Sequence, residues 1–218
     1  MRALKIISLL LISAAFCACA SAPFVADQGE DFQKQGKEPP RNYPVFLAGG
    51  KNSAAFKFDI KYQGKEFNTV LTVNKASENA FKIKMLGDFA TVIIDADFID
   101  GQMRYKYVLG NMFDQKTLDT FAKLMEVLLT RPADFIRSTA LPDGQTQINY
   151  RDGDFMHRFY FKKGISYPYK MERTKTIVRQ KYTFNDYRVF DDIVLPAQIM
   201  CEDTHNVVNI TLGLISIK

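Results

Sequence analysis

Apolar and charged residues begin to alternate at Phe56: Phe56, Phe58, Ile60 and Tyr62 interleave with Lys57, Asp59 and Lys61. That period of two belongs to a strand with one buried and one wet face. After a turn at Gln63-Gly64-Lys65 the pattern resumes in Phe67, Thr69, Leu71 and Val73, then in Phe81, Ile83 and Met85 against Lys82 and Lys84. Val92, Ile94, Ala96 and Phe98 follow, then Asp100-Gly101, a dipeptide suited to a tight hairpin, then Met103, Tyr105, Tyr107 and Leu109. The pattern predicts an antiparallel meander.

At Asp114 the period changes. Asp114 is placed as an N-cap, and Leu118, Phe121, Ala122, Met125, Leu128 and Leu129 form a helical stripe that stops before Arg131-Pro132. A short helical turn is expected over 133–138. Strands then return at Ile148 and Tyr150; at Phe155, His157, Phe159 and Phe161; at Tyr167, Tyr169 and Met171; and at Val178, Tyr182 and Phe184. Two more are expected over 193–202 and 207–217, with Pro196 arguing that its strand is at an edge or bulged.

About eleven strands at about 4.8 Å each make a sheet roughly 50 Å wide, and one helix covers only about 10 Å of it. The uncovered apolar face must bury itself. The fold class expected is therefore mainly β with an inserted helix: a strongly curved antiparallel sheet forming an unclosed β-barrel with an α-helical lid. More than eight strands leave room inside such a curl. A two-layer sandwich, in which the two apolar faces fill each other, is the competing architecture. The cavity expected in the curl is lined by Phe56, Phe58, Leu71, Phe81, Ile83, Ile94, Tyr105, Tyr107, Phe159, Phe161 and Tyr169, and the lid contributes Leu118, Phe121, Met125 and Leu128.

The chain starts differently. Arg2 and Lys5 precede an apolar run and the small-residue exit Ala18-Cys19-Ala20-Ser21-Ala22-Pro23, which reads as an export signal too short to span a membrane. Cys19, directly after a small residue, is the candidate lipid-attachment site. Residues 1–18 are then a lipoprotein-type signal peptide, 19–44 a polar tether or a tether with a short helix, and 45–218 a single domain. Ordinary cleavage, giving a free periplasmic protein, is the alternative.

Composition narrows the chemistry. The net charge of +5 includes Arg2 and Lys5, so the exported chain is only mildly basic, which suits an anionic membrane surface better than a nucleic acid. Cys201 is the only thiol beyond Cys19, so no internal disulfide framework is available and a buried, inert role is expected. His157 and His205 are the only histidines, with no metal-ligand spacing and no Gly-rich phosphate loop around them. His157 shares the parity of Phe155 and Phe159 and reads as an interior histidine. Asp95 with Asp97 reads as a polar strand face, Asp191 with Asp192 as a turn. Lys162, Lys163, Lys170, Arg173, Lys175, Arg179 and Lys181 read as a solvated basic face, with attraction to lipid phosphates as the sharper alternative. No nucleophile, metal or cofactor site is expected, so a binding protein is favoured over an enzyme.

Two segments carry a family resemblance. Phe81-Lys82-Ile83-Lys84-Met85-Leu86-Gly87-Asp88-Phe89-Ala90 is similar to the strand and protruding loop of the bacterial lipoprotein receptors, with Phe89 at the apolar tip and Asp88 and Ala90 in place of that tip's Pro and Gly. Asp191-Asp192-Ile193-Val194-Leu195-Pro196-Ala197-Gln198-Ile199 is similar to their turn and penultimate strand. With strand order and helix insertion, these resemble the LolA/LolB lipoprotein carrier and receptor superfamily. The resemblance implies an acceptor of acylated lipid or lipoprotein cargo, delivered by a periplasmic carrier to a monomer held at the periplasmic face of the outer membrane by its N-terminal lipid. Phe89 would then be the loop residue that touches membrane or cargo. A structural or envelope-assembly lipoprotein gripping a protein partner is the second reading.

Overall fold

The computed structural model describes Tyr43, Val45–Leu47 and residues 50–110, 112–131, 134–191 and 193–218. The export signal, Cys19 and the tether up to residue 42 lie outside the described residues.

Five strands form first: β1 (Ser53–Tyr62), β2 (Lys65–Ser77), β3 (Ala80–Leu86), β4 (Val92–Ile99) and β5 (Gln102–Val108). Helix α1 (Gln115–Leu129) follows, then β6 (Asp134–Ala140), β7 (Thr146–Asp152), β8 (Phe155–Phe161), β9 (Pro168–Thr174), β10 (Val178–Phe190), β11 (Ile193–Asp203) and β12 (Val208–Ile217). All twelve strands lie in one antiparallel sheet, in the order β5-β4-β3-β2-β1-β12-β11-β10-β9-β8-β7-β6. The sheet does not close. Its edges, β5 and β6, are joined in sequence by α1, so the helix connects the two sides of the opening. The architecture is an unclosed barrel with a helix inserted, as the alternation predicts.

Burial alternates strictly where the sequence does: Phe56, Phe58, Ile60, Leu71, Val73, Phe81, Ile83 and Met85 are buried between exposed or half-buried residues. The helix adds Phe121, Leu124, Met125, Leu128 and Leu129 to the same core. Phe121 meets Phe58 edge to face at 5.6 Å between ring centroids. Buried side chains of this size each contribute about 1.5–3 kcal/mol, so this interior drives folding.

Asp114 caps α1 as expected, its Oδ1 accepting from Thr117 N at 2.9 Å and Thr117 Oγ1 at 2.8 Å. Asp100 and Gly101 both adopt positive φ, which is what a two-residue hairpin turn between twisted strands demands. Pro196 sits on a stretch of β11 bonded to β10 alone, because pairing with β12 begins at Gln198. A strand tolerates proline on such a one-sided stretch.

Three expectations are corrected. Residues 134–140 are a twelfth strand, not a helical turn: the register of β6 on β7 shifts between Phe135 and Arg137, so Phe135 and Ile136 are both buried and the period of two is lost there. Tyr107 is 46% exposed and lines no interior space. A bulge in β5 pairs Tyr105 with Ala96 but Tyr107 with Asp95, which turns Tyr107 outward with that aspartate. Tyr43, placed in the tether, belongs to the folded domain: its ring meets Tyr150, Phe159 and Phe161, and its hydroxyl bonds that of Tyr150.

Candidate binding pocket

The inserted helix is held along its length, which decides where the fold can open. At its start Tyr62 of β1 donates its hydroxyl to Asp114. Burial of Asp114 opposes ionisation, yet the hydrogen bonds from Tyr62, Thr117 N and Thr117 Oγ1 hold its carboxyl below the ordinary range. One turn on, Tyr105 of β5 donates to the carbonyl of Leu118 at 2.7 Å, and Thr120 Oγ1 donates to Asp203 of β11 at 2.8 Å. At the far end Phe46 N donates to the carbonyl of Leu128 at 2.8 Å, and Phe46 stacks edge to face on Phe56.

Beyond that last turn lies a pocket of about 460 Å³, a size in the roughly 300–1,000 Å³ range of small-molecule sites. The end of α1 supplies Glu126, Val127, Leu129, Thr130 and Arg131. The β2–β3 and β4–β5 turns supply Glu78, Asn79, Asp100 and Gly101, and Phe81 and Phe98 stand behind them. Asp152, His157, Phe159 and Met171 come from the β7–β9 side, and Tyr43 and Val45 from the segment before β1. The two halves of the open sheet thus meet across this pocket. Its wall is aromatic and aliphatic, and its remaining lining is polar.

The polar lining is electrostatically unusual. Burial pushes the Glu126 carboxyl up, and the carboxylate of Asp152 beside it adds to the rise, against Lys123 whose Nζ lies 3.0 Å from Glu126 Oε2. Burial lowers His157, helped by the positive charge of Arg173, to about 4. Its Nε2 is buried without a hydrogen-bond partner and stands 3.9 Å from Asp152 Oδ2. His157 is therefore neutral at physiological pH.

Of the predicted cavity residues, Phe81 and Phe159 line this pocket. Phe56, Phe58, Leu71, Ile83, Ile94 and Phe161 are buried within the continuous core, and Tyr105 is half-buried against it with its hydroxyl on α1. Tyr169, half-buried, donates its hydroxyl to Gln145. The lid residues Phe121, Met125 and Leu128 are core residues, with Leu118 packed at the margin. This pocket lies at the seam, with those core residues packed around it. Phe98, Leu129 and Met171 are read from the sequence as apolar positions but not as cavity lining, and Val127 and Tyr43 are not read as apolar positions, because nothing in a strand pattern says which inward residues stand at the gap.

Phe89 is fully exposed on the β3–β4 loop, with φ 55° and ψ 30°, and Ala90 follows with φ 57°. Left-handed backbone is costly for an aromatic residue. Two short backbone bonds hold the loop, Gly87 N to Thr91 O at 2.9 Å and Thr91 N to Asp88 O at 3.1 Å. A Cβ at Gly87 would come within 2.9 Å of Ile93 Cδ1, so a larger residue there would have to displace the tip of that side chain.

Other candidate chemistry resolves into structure. Asp95 and Asp97 pair outward with Lys84 at 3.5 Å and Lys106 at 2.6 Å, and Asp191 pairs with Lys51. Cys201 is buried and its thiol is pushed up to about 12, mainly by that burial, which removes its nucleophilic form. Among the described residues no helix is long and apolar enough to cross a membrane, and no three His, Cys, Asp or Glu side chains converge as metal ligands.

No family model matches this chain, and no curated protein matches it. Solved structures do. A LolA superfamily protein from Nitrosomonas europaea superposes with a TM-score of 0.58 at 10% identity, over 80% of this chain and 88% of that one. A putative outer membrane lipoprotein-sorting protein domain from Vibrio parahaemolyticus gives 0.48 at 10% identity, over 79% and 86%. A DUF1329 family protein from Desulfovibrio piger gives 0.45 at 8% identity, over 78% and 86%. With an open antiparallel sheet, a helix joining its edges and a pocket at the seam, this chain has the LolA-like fold.

Proposed function

We propose that the protein accepts an acyl chain of a lipid or lipoprotein in the seam pocket, while anchored through Cys19 at the periplasmic face of the outer membrane. The observation that carries this reading is the pocket itself: an opening of about 460 Å³ with Phe81, Phe98, Val127, Leu129, Phe159 and Met171 on its wall. Each methylene buried there contributes about 0.8 kcal/mol, so binding needs no directional chemistry. A modest seat also suits an acceptor, which must release what it takes. The polar lining of Glu126, Asp152, His157 and Arg131 would face the head of the cargo, and Phe89 would touch membrane or cargo outside the pocket.

Displacement of a fluorescent fatty acid from the full chain tests the seat. Val127→Trp, which fills the pocket from a half-buried helical position, should weaken binding at least tenfold, and Val127→Ala should leave it within about twofold. Equal binding by the Trp variant, with an unchanged thermal midpoint, would overturn the assignment. Mass spectrometry of lipid extracted from the purified chain reports the natural occupant.

A further inference from the structure

Four adjacent strands present one register row of polar side chains to the interior. His157 of β8 faces Arg173 of β9, Arg173 faces Gln180 of β10, and Gln180 faces Asp203 of β11. The next row inward is Phe159, Met171, Tyr182 and Cys201, which is apolar apart from the Tyr182 hydroxyl. The polar row therefore sits at the strand ends, beneath α1, where a second pocket of about 350 Å³ opens.

Arg173 is the anomaly. The basic-face reading of the sequence places it in solvent, yet it is 5% exposed, lines this pocket, and its Nε has no hydrogen-bond partner. Its guanidinium lies 3.5 Å from the centroid of the Phe155 ring and forms no ion pair among the described residues. Two carboxylates, Asp203 and Asp119, also line this pocket, and neither is ion-paired with Arg173. Asp203 accepts from Thr120 Oγ1 at 2.8 Å, Gln180 Nε2 at 2.9 Å, Asn206 Nδ2 at 3.2 Å, and the backbone N–H groups of His205 and Asn206 at 2.9 and 2.8 Å. Asp119 accepts from Gln115 at 2.8 Å.

The other cations on this pocket divide into two kinds. Lys123 pairs with Glu126 at 3.0 Å and Lys175 with Asp154 at 2.7 Å. Arg179, half-buried, contacts the His205 ring instead, with Nη1 2.6 Å from Nδ1. Two guanidinium groups thus share one pocket without an ion pair among the described residues, and a buried cation that is not directly paired is expensive unless something anionic joins it. Planar guanidinium forks match the oxygens of phosphate, and a pair of them suits a multiply charged group better than a single carboxylate.

We propose that this pocket is a phosphate-binding site in which Arg173 and Arg179 are the principal ligands. The phosphate comes from a lipid headgroup or from a free phosphate or small phosphate ester. The site stands apart from the acyl seat: its cations come from α1, β9 and β10 and the turn between them, and Val127 is not part of it.

Calorimetric titration of the full chain with inorganic phosphate and with glycerol 3-phosphate is the test. One saturable site is expected, weakened at least tenfold by Arg179→Gln and by Arg173→Met, and unchanged in Lys181→Gln, whose lysine lies on the outer face beside Glu172 and Glu202. Arg179→Gln keeps the test decisive if the Arg173 variant fails to fold. Absence of saturable binding, or arginine variants indistinguishable from the parent, would overturn the site. Flotation with phosphatidylglycerol vesicles separates the sources: capture lost in the same two variants identifies a lipid headgroup, and saturable phosphate binding without capture identifies the free form. Val127→Trp should leave the phosphate titration unaltered, so the two proposals fail separately.

Discussion

The first five strands and the strands that follow α1 curl into the same core but treat polarity in opposite ways. On β1 to β4 the interior is nearly dry: apart from Thr69, whose hydroxyl bonds the carbonyl of Phe58, and Tyr62 at the end of β1, whose hydroxyl bonds Asp114, the inward positions hold Phe, Ile, Leu, Val, Met and Ala. On β8 to β11 the interior carries His157, Arg173, Gln180 and Asp203, and two of these keep a buried nitrogen with no hydrogen-bond partner. The dry side can be close-packed and is insensitive to pH. The polar side gives up stability, and both pockets have a wall on it. Burying polar groups without full satisfaction is a cost that a chain bears where it binds something.

Three measurements test this contrast. The largest effect belongs to the dry side: Phe58→Ala removes a ring with no solvent exposure that packs on Phe121, and should cost about 3–5 kcal/mol in urea unfolding. A loss near 1 kcal/mol would mean that this half is looser than its burial implies.

The second effect is confined to the polar side. His157, held near 4 when folded against 6.5 ordinarily, stays neutral in the native state while the unfolded chain takes up a proton between those values. The stability it allows above about pH 6.5 is lost as pH falls toward about 4, by about 2–3 kcal/mol between about pH 7.5 and about pH 4.5. Glu126 works in the other direction, since its raised pKa makes the native state the better proton acceptor as pH falls. Subtracting a His157→Gln variant isolates the histidine. If parent and variant lose equal stability over that range, the buried, neutral histidine is wrong.

The smallest effect on stability is expected at Phe89, whose side chain touches no core. Phe89→Glu should shift urea stability by less than about 0.5 kcal/mol while reducing transfer of acylated cargo to vesicles. Unimpaired transfer would remove the loop from the proposed function.

The same contrast explains what the sequence made legible. The dry strands announce themselves, because Phe56-Lys57-Phe58-Asp59-Ile60 can bury only one face. Asp114 and the stripe from Leu118 to Leu129 locate the helix for the same reason. Bulges defeat the pattern by inserting a residue, which is why β6 was hidden behind Phe135-Ile136 and why Tyr107 points the wrong way. Arg173 was hidden for another reason. A charged residue at an inward position looks like a strand end or a solvated face until the neighbouring strands show that it is covered. The seam pocket is a property of which strands fail to meet, and no local pattern records that.

Strand order has a mechanical consequence. The chain enters the sheet at β1 and leaves it at β12, and these two are neighbours at its centre, tied at their ends by Lys218 N to Ser53 O at 2.9 Å and Asn52 N to Lys218 O at 2.6 Å. Tension applied through residues ahead of Tyr43 would reach β1 only after loading the bond between the Tyr43 and Tyr150 hydroxyls and that from Phe46 N to the carbonyl of Leu128 at the end of α1. A pull on that segment would therefore be felt at the seam before it reached the doubly laddered centre of the sheet.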